Sequence, residues 1–197
     1  LDEAHLVEEV ASEYFGAQVS NYQIDDLVRD LGALPIEDAE VDKELTHSTA
    51  RMSRFADNFW MGFRDGRGED GRYPIVPGTF ARKNSDGELQ ATPLGELYVA
   101  LEGAIARTET TLDALQDKPP EVESLIRRLR EIRFELEFIV TGADRKFVYW
   151  LERRHRGVFL RASPIDVAGL LQDKLFDEVP TVVLTSATLS SGGNFSF

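Results

Sequence analysis

Residues 181–189 read Thr-Val-Val-Leu-Thr-Ser-Ala-Thr-Leu. Thr181 to Thr185 is a continuous apolar and β-branched run with no polar alternation. That is the pattern of a parallel strand buried on both faces. The run passes directly into a hydroxyl-bearing turn, Thr185-Ser186-Ala187-Thr188-Leu189. The opposite end begins Leu1-Asp2-Glu3-Ala4-His5, two adjacent carboxylates followed by a helix-forming stretch that ends at Gly16. Both ends therefore read as α/β, and the chain between them must be read against that frame.

The middle reads as helical. A short amphipathic segment starts at Ser20 or Asn21, carries Ile24, Leu27, Val28 and Leu31 on one face, and stops at Gly32. The spacing of Val41, Leu45, Thr49, Met52, Phe55, Ala56, Phe59 and Phe63 predicts a long helix over about 38–64. A Gly-rich, charged stretch, Asp65 to Ala91, follows, with short strand pieces expected at Tyr73–Val76 and Gly78–Arg82 and a turn at Ser85-Asp86-Gly87. Thr92-Pro93 opens the next helix, with Thr as cap and Pro at the first position, where its missing N–H costs nothing. Pro119-Pro120 separates it from a further amphipathic helix that closes at Gly142, so the two form a helical hairpin. Beyond Lys146 the texture turns aromatic and β-branched. Lys146–Glu152 and Gly157–Arg161 predict a β-hairpin whose tip is Arg153-Arg154-His155-Arg156. Ser163-Pro164 then caps a helix to about Lys174. The simplest arrangement is a helical domain (17–145) inserted into an α/β domain (1–16 and 146–197).

Composition narrows the function classes. An apolar fraction of 42% and a charged fraction of 29% are ordinary for a globular protein. No apolar run approaches the ~20 residues of a membrane span, and the opening residues do not resemble a signal peptide, so the expectation is a cytoplasmic protein. The absence of Met at position 1 leads to the expectation of a fragment or a processed chain. With no cysteine, the segment holds no disulfide, zinc–thiolate site or iron–sulfur ligand. A net charge of −13 argues against general nucleic-acid binding, yet residues 124–161 hold ten basic and five acidic side chains, against nine and nineteen in residues 1–90. That basic strip reads either as a solvated helix face or as the lining of a channel.

The chemistry sits at the two ends. Asp2 and Glu3 are a carboxylate pair suited to nucleotide hydrolysis. One holds Mg²⁺ through water, because Mg²⁺ prefers oxygen ligands and keeps part of its hydration. The other orients the attacking water, since phosphoryl transfer depends on positioning and charge stabilisation. Either motif alone is weak; the two in this order are specific.

Together, Leu1–His5 and Thr185–Leu189 resemble the Walker B (DEAH) motif and the third helicase motif of superfamily-two helicases of the DinG and XPD type. The 179 residues between His5 and Thr185 match the place where that family carries its arch domain, and Leu160 to Ala168 followed by Leu175-Phe176 also looks like the DinG branch. The resemblance implies an α/β, RecA-like motor domain with a large, mainly helical inserted arch, and a 5′→3′ DNA helicase driven by ATP and Mg²⁺. It implies Asp2 as the metal carboxylate and Glu3 as the water-activating one, with His5, Thr185, Ser186, Ala187 and Thr188 coupling nucleotide state to DNA grip. It implies single-stranded or forked DNA as partner, running beneath the arch. The phosphate-cradling loop and the second motor domain's arginines are absent from this chain; an iron–sulfur cluster, or an exonuclease, would lie in the parent protein upstream. Arg127 and Arg130 on the last long helix, and Arg153, Arg154 and Arg156 at the hairpin tip, are candidate DNA contacts. The plainer readings are i,i+4 pairing with Glu123, Glu131 and Glu137, and a solvated turn. Trp60 and Trp150 offer stacking surfaces or core packing. No His/Asp/Glu spacing suggests a protein-held metal cage. The rival functional class is a protein-docking module whose acidic helix faces, on the inserted arch, recruit a replication or repair partner.

Overall fold

The computed structural model describes residues 2–64, 69–116 and 118–186. The chain divides into two compact units, one formed by residues 18–143 with 149–161 and the other by residues 1–17, 144–148 and 162–197. The distal part of the hairpin expected within 146–197 thus belongs to the helical unit.

The helical unit is built on α2 (Asn21–Gly32), α3 (Ala39–Gly62), α4 (Pro93–Asp113) and α5 (Pro120–Thr141), following the first helix α1 (Val7–Tyr14) of the other unit. Local chemistry sets each boundary. Ser20 and Gln23 form a reciprocal capping box at the start of α2. The Asp38 carboxylate accepts from the Glu40 and Val41 amides at the start of α3. Thr92 Oγ1 accepts from Gly95 N, with Pro93 in the first turn of α4. Gly142, at φ +52°, closes α5 in the left-handed conformation that glycine adopts without strain.

The helices pack α2 on α3, α3 on α4, α4 on α5 and α2 on α5. Phe59, Met52, Leu101, Ile105, Leu129 and Leu136 are fully enclosed between them. Phe59 meets Trp60 and Phe63 edge to face at 5.0 and 5.1 Å, a geometry favoured by the ring quadrupoles. Trp60 is therefore core, 3% exposed.

Beside the helices lies a four-stranded sheet in the order β1 (Ala17–Ser20), β6 (Gly157–Pro164), β5 (Phe147–Arg154), β2 (Gly71–Pro74). β2 runs antiparallel to β5, with Tyr73 opposite Leu151 and Pro74 opposite Trp150. A separate ribbon pairs β3 (Ala81–Lys83) with β4 (Leu89–Ala91) around the Ser85-Asp86-Gly87 turn, where Asn84 Oδ1 accepts from the amides of Asp86 and Glu88. The patterning does not foretell β1 or β4: strands of four and three residues are too short to show a period.

Glu135 in this unit is half-buried. Glu135 on α5 has its pKa pushed up to about 7, chiefly by burial and then by neighbouring Glu131, against a weaker lowering by the Gln18 amide. A raised acid pKa contributes stability that is fully present below the ordinary value near 4.5 and is lost as pH rises through about 7. Glu135→Gln is expected to stabilise the chain by roughly 1 kcal/mol at pH 8, and by much less near pH 5. Thermal melts at the two pH values check the sign.

The other unit holds a 3-10 turn (Ala4–Leu6), α1, the short helix α6 (Val167–Leu171) and a π turn (Gln172–Phe176), with α1 packed on α6. Ser163 is not the cap expected from sequence. β6 continues through Pro164, and the Asp166 carboxylate caps α6 by accepting from Gly169 N. A larger correction concerns residues 181–185, which are not a strand. Val183 is 65% exposed and Leu184 41%, so the apolar run is not covered on both faces as a buried parallel strand would be. The sheet that the structure does contain is built on a hairpin. No helix among the described residues is long and apolar enough to cross a membrane.

Candidate functional site

The opening carboxylates and the hydroxyl turn, some 180 residues apart in sequence, meet. Ala4 N–H donates to the Thr185 carbonyl at 2.9 Å, tying the two segments backbone to backbone. Thr185 Oγ1 donates to Asp2 Oδ1 at 2.9 Å, and the Glu3 amide donates to the same oxygen at 3.0 Å. These two donors, the hydroxyl first, hold the Asp2 carboxyl below its ordinary pKa, so it stays ionised. His5 Nδ1 lies 2.9 Å from Ser186 Oγ and 3.2 Å from Glu3 Oε2, while Ser186 Oγ lies 3.5 Å from that same Glu3 oxygen.

Glu3 is one of two non-glycine residues among those described with a positive φ, at φ 51° and ψ 49°. A side-chain-bearing residue enters this region at a cost of about 1 kcal/mol or more. The turn it makes carries the chain from Asp2 into the 3-10 helix and sets Asp2, Glu3 and His5 around one hydroxyl pair. Nothing in the sequence signals this conformation, since Glu is not a residue type that favours it.

The carboxylates fit a hydrated divalent cation of the kind that sits between protein and phosphate. Both hydrogen bonds to Asp2 fall on Oδ1, so Oδ2 retains acceptor capacity for a cation's water. Mg²⁺ in such sites is held by one or two carboxylates plus substrate oxygens, not by an all-protein cage. No group of three or more His, Cys, Asp or Glu side chains that could hold a metal ion occurs among the described residues. Ala187 and Thr188 lie outside the described residues.

The five arginines singled out from sequence divide into two classes. Arg130 is taken up by α4: Nε donates to Glu109 at 2.6 Å and the guanidinium also pairs with Asp113. Its neighbours behave alike, Arg133 pairing with Glu109 at 2.7 Å and Arg128 with Asp30 at 2.5 Å. In place of the i,i+4 partners Glu123, Glu131 and Glu137, the ion pairs of Arg128, Arg130 and Arg133 run across helices, to α2 and α4. Arg153 and Arg154 are not at a turn; they lie in β5, and only His155 and Arg156 make the tip. The Arg153 guanidinium donates to the Phe63 carbonyl and lies 5.1 Å from the Tyr73 ring centre. Arg154 pairs at 2.6 Å with Glu152, a carboxylate 4% exposed that Arg161 and Arg72 also approach, at 3.0 and 3.6 Å. Burial pushes the Glu152 pKa up, but the three guanidinium groups outweigh it and leave the net shift downward. Arg127 and Arg156 remain: no carboxylate among the described residues lies within ion-pair distance of either guanidinium.

No protein-family model matches this chain. Two curated relatives do. Over 195 residues the chain is 25% identical to the ATP-dependent DNA helicase YoaA of Haemophilus influenzae, an alignment that covers 99% of this chain and 29% of that protein. It is 25% identical over 194 residues to the ATP-dependent DNA helicase YoaA of Escherichia coli K12, covering 96% of this chain and 28% of that protein. The chain therefore spans less than a third of the relatives it matches.

Proposed function

We propose that this chain is a segment of an ATP-dependent DNA helicase of the DinG type, running from the hydrolytic carboxylates through an inserted helical arch to the coupling motif. The observation that carries this reading is the meeting of Asp2, Glu3 and His5 with Thr185 and Ser186 across some 180 residues. In such a motor the two ends belong to one RecA-like domain, and the helical unit of residues 18–143 with 149–161 is inserted between them in sequence. Val10, Tyr14, Ile165 and Val183, all at least half exposed, fit a unit whose core is completed by further strands.

In this reading Asp2 would hold Mg²⁺, which would neutralise phosphate charge, and Glu3 would orient the water for attack on the terminal phosphate of bound ATP. Thr185 and Ser186 bond to those same side chains, so a shift of either segment is felt by the other. That linkage is the coupling device, and translocation runs 5′→3′ along single-stranded DNA. Arg127 and Arg156 are the remaining candidates for phosphate contact. An iron–sulfur cluster or a nuclease belongs, if anywhere, to other parts of the whole protein.

The test is uncoupling. In the longer protein, Ser186→Ala should keep DNA-stimulated ATP turnover within about threefold of wild type and cut unwinding of a 5′-tailed duplex by about tenfold or more. Unwinding at the wild-type rate by this variant, or a wild-type protein that hydrolyses no ATP on single-stranded DNA, sinks the assignment. The 197-residue chain alone has no phosphate-cradling loop, so ATP titrated to millimolar concentration should give no saturable heat in calorimetry.

A further inference from the structure

At one end of the helical unit lies an open groove of about 1130 Å³, larger than most small-molecule sites. It forms where α2 and α4 end and α3 and α5 begin. Val122 and Leu125 of α5 are its buried floor, and the half-exposed Leu34, Ile36, Val41 and Leu115 form its apolar walls. The side chains that fold the unit do not fill it, although its walls are the apolar residues of the flanking connections.

The rim is acidic. Asp30, Glu37, Asp38 and Glu121 line it, with Arg128 as the one cation among the lining residues, already paired with Asp30 at 2.5 Å. Backbone electrostatics add to this. Ala33 and Ala114, the residues that close α2 and α4, both line the groove, so two helix C-termini present carbonyl partial charge there. The facing N-termini of α3 and α5 are already offset by Asp38, Glu40 and Asp42, and by Glu121 and Glu123. The result is a deep apolar slot inside a negative field.

We propose that this groove docks a basic amphipathic segment of a partner protein, with apolar side chains in the slot and Lys or Arg on the rim. Charge complementarity selects this occupant. Nucleic acid and anionic lipid would bring like charge to the carboxylates. A second copy of the chain carries a net charge of −13 and would do the same. Helix-in-groove recognition needs two or three anchors at i, i+3 or i+4, and i+7, which matches a slot lined from four helix ends. The groove lies wholly within the helical unit, so the proposal stands apart from the motor assignment.

The test is selection of random peptides of about 16 residues, displayed on phage, against the full chain. The counter-targets are the charge-reversed Glu37→Lys/Glu121→Lys and the slot-blocking Leu115→Asp. Both glutamates are exposed, so their reversal leaves the fold intact, and thermal melts verify this for every variant. Selected peptides should be rich in Lys or Arg with apolar residues at helical spacing, and should lose about tenfold or more in affinity on each variant. Four results overturn the proposal: no peptide above background, acidic or uncharged winners, equal binding to the variants, or displacement by oligo(dT), which would make the groove a nucleic-acid site. ATP turnover by the longer protein is read separately, so failure here leaves the helicase assignment untouched.

Discussion

Glu3→Gln, placed in the longer protein proposed to carry this segment, should bind ATP within about threefold of wild type and lose turnover by about 10²- to 10⁴-fold. Gln preserves the shape of the side chain and an acceptor oxygen. The contacts to His5 at 3.2 Å and Ser186 at 3.5 Å can persist, and so can the left-handed turn at Glu3. What Gln lacks is the negative charge that orients and polarises an attacking water. The loss therefore falls on kcat with little change in KM, the signature of an interaction made in the transition state. Asp2→Asn differs in kind. It weakens the group proposed to face Mg²⁺ and also the acceptor of the Thr185 hydroxyl, so it should raise the Mg²⁺ concentration needed for half-maximal turnover. Steady-state turnover on single-stranded DNA, with fluorescent-nucleotide binding in parallel, separates the two. Undiminished turnover by Glu3→Gln would remove Glu3 from the chemistry.

Under the proposed function, the geometry would let the site act as a transmission as well as a hydrolytic centre. The Thr185 side chain bonds to Asp2 while its carbonyl accepts from Ala4 N–H, so one residue grips both the carboxylate and the backbone that carries it. Ser186 reaches His5, and through the Glu3 oxygen the second carboxylate as well. In that proposal, a movement imposed on the 181–186 segment would displace side chains on the other, and the reverse would hold by linkage. The site is solvent-open, which makes each bond weak by itself; coupling depends on their being made together.

How much of this was legible in the sequence depends on the range of the interaction. Features governed by neighbours in the chain read well: the Thr92-Pro93 start of α4 and the glycine stop at Gly142 each follow from chemistry within four residues. Features set by tertiary partners did not. Arg130 chose Glu109 and Asp113 on another helix, and nothing in 120–142 encodes that choice. Glu152 read as the polar end of a strand, yet it is buried beneath three arginines drawn from β2, β5 and β6. The Thr181–Thr185 pattern read as a buried strand because apolar continuity reports a preference for burial; it cannot report whether a covering partner stands beside it. At the site itself, the residue types marked which two segments to watch, while the turn at Glu3 that brings their side chains together was invisible.

Gly95 shows the same limit, with an effect large enough to measure directly. It sits in the first turn of α4, where its amide donates to Thr92 Oγ1 at 3.1 Å. By helix propensity alone, Gly to Ala in a helix stabilises by about 1 kcal/mol. Gly103, in the middle of the same helix, has nothing within 4 Å of an added Cβ, and Gly103→Ala should give that gain. At Gly95 the sign should reverse. A Cβ there falls inside the van der Waals shell of the Phe80 carbonyl oxygen, and its carbonyl carbon is 3.0 Å away. That carbonyl cannot swing aside cheaply. It accepts from Thr92 N at 2.9 Å and from Thr92 Oγ1 at 3.1 Å, and Phe80 itself is buried against Phe63. Gly95→Ala must therefore push the helix start away from Phe80, breaking the bonds that cap α4 and opening the aromatic core. The expected loss is about 2–3 kcal/mol, net of the propensity gain. For a protein stable by about 5–15 kcal/mol this is a large fraction. Urea titrations of the two variants should move in opposite directions from wild type. A stabilised Gly95→Ala would show that the α4 start does not press on Phe80 as described.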